Sequence, residues 1–182
     1  MQELRTDRLL LRPFAPEDEE ALLGLWNDPY VRRYLWDDRL VSREEVREQI
    51  ALSERDFHER GYGEFVLSLV EWPGALIGFC GLRRIEGRED VELLYGLYRD
   101  FWGRGLATEA ARAVLRFGFE HVGLEEVFAG ADLDNAASIQ VMERLGMSSA
   151  GEWRVGPQAL PATYYRLRRR DFARRTQGVN TG

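Results

Sequence analysis

Two periods of hydrophobic and polar positions alternate along this chain. Short apolar runs read as strands: "DRLLLRPF" near the start, "GEFVLSLVE", "ALIGFCGLRRI" and "DVELLYGLY" in the middle, then "LEEVFAGAD", "MSSAGEWRV" and "TYYRLRRRDF". A "WPG" turn separates the first two of the middle group. Between them lie stretches of helical spacing. "APEDEEALLGLW" puts Leu22, Leu25 and Trp26 on one face behind an acidic first turn, and "NDPYVRRYL" reads as a turn into a short helix. In "SREEVREQIALSERDFHERG", Ser42 and Glu45 form a capping box, Val46, Ile50 and Phe57 share a face, and Gly61 lies beyond the end. Leu106, Ala110, Ala113, Val114 and Phe117 share one face of a later helix, and "NAASIQVMERLG" is another.

Helices on a mostly antiparallel sheet, with one β-α-β step late in the chain, predict an α+β (mixed α/β) layered domain. On this reading residues 1–172 are a single domain and 173–182 a flexible C-terminal tail. The segment between the strand and helix of that late step is "RDFWGRGLATEA", with Gly103 and Gly105 one residue apart. Such a turn exposes backbone N–H groups at the positive end of a helix, where a phosphate binds without lysine. It reads equally as a plain bend before a helix. A dinucleotide fold fits less well, because Thr108 stands at the third glycine position and the unit does not open a parallel sheet.

Composition narrows the chemistry. The 182 residues are 45% hydrophobic, enough for one continuous core, and the net charge of −6 argues against general binding to nucleic-acid phosphates. All the basic residues apart from two histidines are arginine, which removes a lysine Schiff base and a Walker-type phosphate loop. The single Cys80 cannot form an internal disulfide, and no zinc-ligand spacing exists. With no apolar run of membrane-spanning length and no signal-peptide pattern in "MQELRTDRLLLRPF", the chain reads as cytoplasmic.

Four stretches in order, "TDRLLLRPF", "NDPYVRRYL", "FWGRGLATEA" and "NAASIQVMERLGM", resemble the GNAT family of acyl-CoA N-acyltransferases over roughly Leu9 to Phe172. Within it they resemble the RimJ/RimL-like branch that acetylates ribosomal-protein N-termini. The family loop reads Gln/Arg-x-x-Gly-x-Gly/Ala, and "WGRGLA" fits except that Trp102 replaces the leading polar residue. The resemblance implies the GNAT fold and acetyl-CoA as co-substrate, without a metal. It places pantetheine along the backbone of Leu97, Tyr98 and Arg99 and pyrophosphate at Arg104, Gly105, Leu106, Ala107 and Thr108. Asn135 serves as an N-cap for Ser138, as a CoA contact, or as both.

The implied reaction is attack of a neutral amine on a thioester. The acceptor is a protein or peptide N-terminal α-amine or, alternatively, a small amine such as an aminoglycoside or amino-acid derivative; nucleic acid and membrane are not expected partners. Many relatives carry a tyrosine where this chain has Met142, so Ser138 becomes the candidate acid at sulfur and Glu92 the candidate base, with Glu64 and Asp132 behind it. Ser138 reads equally as a first-turn residue bonding its own helix, and Glu92 as an exposed strand glutamate. Tyr34 and Trp36 are candidate substrate contacts; with Trp26, Tyr30 and Trp153 they read otherwise as core or groove walls. A homodimer is expected. A non-catalytic CoA-binding module stands as the rival class.

Overall fold

The computed structural model describes residues 3–155 and 160–178. Among them an eight-stranded sheet runs in the order β1-β2-β3-β4-β5-β6-β8-β7, from β1 (Leu4–Arg5), β2 (Leu9–Pro13), β3 (Glu64–Leu69), β4 (Gly78–Arg84), β5 (Val91–Leu97), β6 (Glu126–Asp132), β7 (Ser148–Val155) and β8 (Leu160–Arg168). Every neighbouring pair is antiparallel except β5 with β6. That parallel pair is recorded at one position, Glu92 opposite Phe128. Beyond it no further pairing joins the two strands among the described residues, which leaves a gap in the mixed sheet.

Strand alternation divides the core into two layers. Phe65, Leu67, Cys80, Leu82, Leu93 and Leu97 face α4 (Leu106–Phe117) and α5 (Ala136–Leu145). Val66, Phe79 and Leu94 face α1 (Glu19–Asn27), α2 (Pro29–Leu35) and α3 (Arg43–Arg60). The helices start where the sequence placed their caps. Ser42 Oγ accepts from the Glu45 amide at 3.2 Å while Glu45 Oε2 accepts from the Ser42 amide at 2.7 Å. Asp28 accepts from the amides of Tyr30 and Val31 at 2.9 and 3.3 Å, so Pro29 opens α2 without a lost donor.

The end of the chain differs from the strand pattern read in "TYYRLRRRDF". β8 stops at Arg168 and α6 (Arg169–Gly178) follows, crossing the 172/173 boundary. Phe172 is the physical reason: it is buried against Phe119, with ring centroids 5.3 Å apart, and this contact holds the first turns of the helix on the domain. The arginines of this stretch pair locally, Arg168 with Glu126 at 3.0 Å and Arg169 with Glu125 at 3.2 Å.

Candidate active site

The loop after β5 is built from backbone. Gly103 and Gly105 have φ of +71° and +74°, the left-handed region where a side chain is strained, and Gly105 is the N-cap of α4. The amides of the first turn of α4 therefore point out of the helix end without a side-chain cap. Arg104 is exposed beside them, and Thr108 Oγ1 is buried with no hydrogen-bond partner. An orphaned hydroxyl within a helix N-terminus fits an anionic ligand there, which is what the pyrophosphate of CoA requires.

This loop is held from the far end of the sheet. In the turn between β1 and β2, Thr6 Oγ1 donates to Glu109 Oε1 at 2.6 Å, Arg8 Nε to Glu109 Oε2 at 2.7 Å, and Arg8 Nη1 to the Arg104 carbonyl at 2.9 Å. Burial works to raise the Glu109 pKa, and the bonds from Thr6 and Arg8 outweigh it, so the carboxylate is held below its ordinary value. The motif "TDRL" and the helix start "LATEA" thus meet in space, a connection that sequence spacing alone did not indicate.

The gap between β5 and β6 offers a free strand edge. Tyr98 N–H donates to the Ile77 carbonyl of the β4 side at 3.0 Å, so by alternation the groups of Leu97 face the gap. Trp102 Nε1 donates to the Leu97 carbonyl at 2.7 Å, which shows what the departure from the family's polar residue does. Leu97 is thus at the gap, whereas Tyr98 packs on the α1–α3 side with its hydroxyl beside Gly24, and Arg99 lies over the Tyr30 ring at 4.3 Å.

Ser138 and Glu92 lie on opposite faces of the sheet. On the α4/α5 face, Tyr95 OH stands 2.8 Å from Ser138 Oγ and donates to the Ser138 carbonyl at 3.2 Å. Asn135 Oδ1 accepts the Ser138 amide at 3.1 Å, confirming the N-cap reading. Burial pushes the Tyr95 phenol up, so it stays protonated as a donor. Sequence reasoning missed Tyr95. Its signal was an aromatic at the alternate position of "ELLYGL" that faces α5. Met142 is fully buried in the core of that side.

On the other face, Arg83 Nε donates to Glu92 Oε1 at 2.9 Å and Tyr164 OH to Glu92 Oε2 at 3.3 Å. Glu92 is only 6% exposed, which excludes the exposed-strand reading. Tyr164 stacks on Trp153 at 4.4 Å, and Arg88 covers the other ring system at 4.2 Å from the Trp153 centroid. Beside this cluster runs a groove of about 1040 Å³ between α3 and the β4–β5 hairpin, lined among others by Trp36, Asp56, Glu64, Arg83 and Glu89. Glu64 is buried, and desolvation moves its carboxyl up to about 7, with Arg83 opposing and Glu92 and Asp56 reinforcing the shift.

Trp36 therefore borders the groove, whereas Tyr34 is absent from its lining and instead carries Arg33 over its ring at 5.0 Å. Trp26 is core. Asp132 is raised by burial and by the charges of Asp37 and Asp134, and it stands at the end of β6. No group of three metal-ligating side chains occurs among the described residues, and no described helix is long and apolar enough to cross a membrane.

A gap in the parallel strand pair, a backbone-built loop suited to an anion and a groove lined by both acids and arginines fit the acyl-CoA-dependent transferase that the sequence motifs resemble. Residues 8–148 match the acetyltransferase (GNAT) domain model, so the chain belongs to the GNAT acetyltransferases. It is 36% identical over 148 residues to the uncharacterized protein YkkB of Bacillus subtilis, covering 79% of this chain and 84% of that one. It is 25% identical over 142 residues to the spermidine N(1)-acetyltransferase of Escherichia coli, covering 78% and 74%. A solved RimL, a ribosomal-protein α-N-acetyltransferase in complex with coenzyme A, shares the fold with a TM-score of 0.75 at 19% identity, covering 92% of this chain and 98% of that one.

Proposed function

We propose that this acetyltransferase passes the acetyl group of acetyl-CoA to the α-amine of a protein or peptide N-terminus, as a RimJ/RimL-like enzyme. Acetyl-CoA supplies an activated acyl group as a thioester. The residues of 97–99 and 104–108 hold it, Asn135 orders the start of α5, and the hydroxyl of Ser138, oriented by Tyr95, donates toward the departing sulfur. The carboxylates on the groove side receive the amine. The single observation behind this reading is the position of the gap, with a hydroxyl pair on one face and a carboxylate cluster on the other. A groove that mixes arginines with acids suits a peptide, whose carbonyls and side chains need donors, better than a bare polycation.

The second reading, a small cationic amine, draws on the similarity to the spermidine acetyltransferase and on the acids of the groove. A thiol-release assay with acetyl-CoA decides between them, using short peptides with free N-termini, their N-blocked forms, and spermidine as acceptors. Release with the free peptides alone supports the first reading and release with spermidine alone the second. Tight CoA binding with no acceptor-dependent release would instead support the non-catalytic module. The proposal also has the enzyme working in the cytoplasm, without a metal, as a homodimer through the β7 edge of the sheet. Light scattering at micromolar concentration that gives a single-chain mass would reject the dimer.

A further inference from the structure

Glu92 and Glu64 share one face of the sheet, yet only one of them has an oxygen free for a substrate. Glu92 has each oxygen committed, one to Arg83 and the other to Tyr164. Among the described residues the Glu64 carboxylate accepts no hydrogen bond, although its backbone is fixed: its amide donates to Ser53 Oγ at 2.8 Å and its carbonyl accepts from Phe14 at 3.0 Å. Register places Glu64 opposite Gly81, and Gly81 opposite Leu94, so Glu64 lies on the cross-strand row where β5 has just left β6. A Cβ on Gly81 would stand 2.3 Å from Glu64 Cα and 2.8 Å from Glu64 Cβ; the glycine lets the two strands close up beside the carboxylate. The carboxylate itself borders the groove. A buried, unbonded carboxyl is costly to keep, and a cationic ligand removes that cost.

Building on the acetyltransfer reading above, we infer that Glu64 is the group that takes the proton from the acceptor's ammonium, with Glu92 as the positioning residue that fixes Arg83 beside it. The ammonium N–H bond breaks, the proton goes to a Glu64 oxygen, and nitrogen keeps the electron pair. That pair forms the new N–C bond while the C–S pair leaves on sulfur. The second nitrogen proton ends on sulfur, giving amide and thiol.

The chemistry also selects the acceptor. A base near 7 takes a proton from an α-ammonium near 8 with an equilibrium constant of about one-tenth, but from an alkylammonium near 10.4 with one of about one in a few thousand. Glu64 therefore suits α-amines. The charged groups that act on it are Asp56 from α3, Arg83 from β4 and Glu92 from β5; of the two that shift it most, Arg83 draws the value down and Glu92 lifts it.

The test has two arms. In the first, kcat/KM against pH for a free-N-terminal peptide should show an acid limb near pH 7. Glu64→Gln should lose about 100-fold in kcat and lose that limb, while Glu64→Asp recovers part of both. In the second, alanine amide binding to the CoA-loaded protein is followed by calorimetry at pH 7 in two buffers of different ionisation enthalpy. Wild type should exchange a fraction of a proton through Glu64, and Glu64→Gln should not. An unchanged limb, or identical proton counts in the two proteins, overturns the inference. Absent turnover with an intact proton difference would sink the acetyltransfer reading and leave Glu64 as the amine-binding carboxylate.

Discussion

The two sides of the β5–β6 gap are made of different material. On the loop side the proposed binding elements are main-chain amides at the start of α4 and the free edge of β5, placed by two glycines with positive φ. On the groove side they are side chains from β3, β4, β5 and β8 that meet only through strand register. The first kind of site is fixed by local conformation and is indifferent to most side chains. The second is fixed by packing, and one substitution rewires it. The contrast suits an acetyltransfer in which the CoA end of the donor is held by main chain and the acceptor is recognised by side chains.

Gly105→Val should break the loop side most severely. A β-branched residue at φ +74° is strained by about 1–2 kcal/mol, and its methyls occupy the approach to the amides, so the Kd for acetyl-CoA should rise about 100-fold or more. Space for the Cβ itself exists, with Arg8 Nη2 3.7 Å away, so the domain should still fold. Calorimetry on the folded variant measures this; an unchanged Kd would remove the loop from the cofactor site.

On the groove side the expected sign is opposite for stability. The Glu64 carboxyl titrates near 7 in the fold against an ordinary value of 4.5, so the folded state binds more protons between those values. Its contribution is intact below about pH 4.5 and is lost as pH rises to 7. Glu64→Gln should therefore be more stable than wild type at pH 8, by on the order of 2–3 kcal/mol, with the difference vanishing near pH 4. Urea denaturation at both pH values checks it. Equal stability throughout would mean that the carboxylate is not desolvated.

Ser138→Ala probes the boundary between the sides. The hydroxyl meets Tyr95 while the amide, not the hydroxyl, is capped by Asn135, so the cap survives the substitution. A drop of about 10- to 30-fold in kcat with the acetyl-CoA Kd nearly unchanged is expected, because the contact strengthens as charge develops on sulfur. Tyr95→Phe should share most of that loss. Lost stability at full kcat would reduce Ser138 to a structural role.

The smallest effect belongs to the clamp behind the loop. Arg8→Ala removes the bonds to Glu109 and the Arg104 carbonyl from a half-exposed arginine, and solvent screening limits the stability cost to about 1 kcal/mol or less. CoA binding should weaken by about 5- to 10-fold as the loop loosens. If Arg8→Ala and Glu109→Gln were additive in the double variant, the two residues would not act as one unit.

Sequence by itself determined what is local. The Ser42–Glu45 box, the Asn135 cap, the paired glycines and the alternation of strands are written within a few residues of one another, where short-range sterics and hydrogen bonding decide the outcome. Motif order carried the family and hence the gap. What only the tertiary structure decided depends on chains of contacts between distant segments: the Tyr95–Ser138 bond, the clamp from Thr6 and Arg8 to Glu109, and the convergence of Glu64, Arg83, Glu92 and Tyr164. The α6 helix belongs here too, because Phe172 finds Phe119 across the fold. A one-residue slip in any of three strand pairings would turn Glu64 or Glu92 to the other face, and no short stretch of sequence states that register.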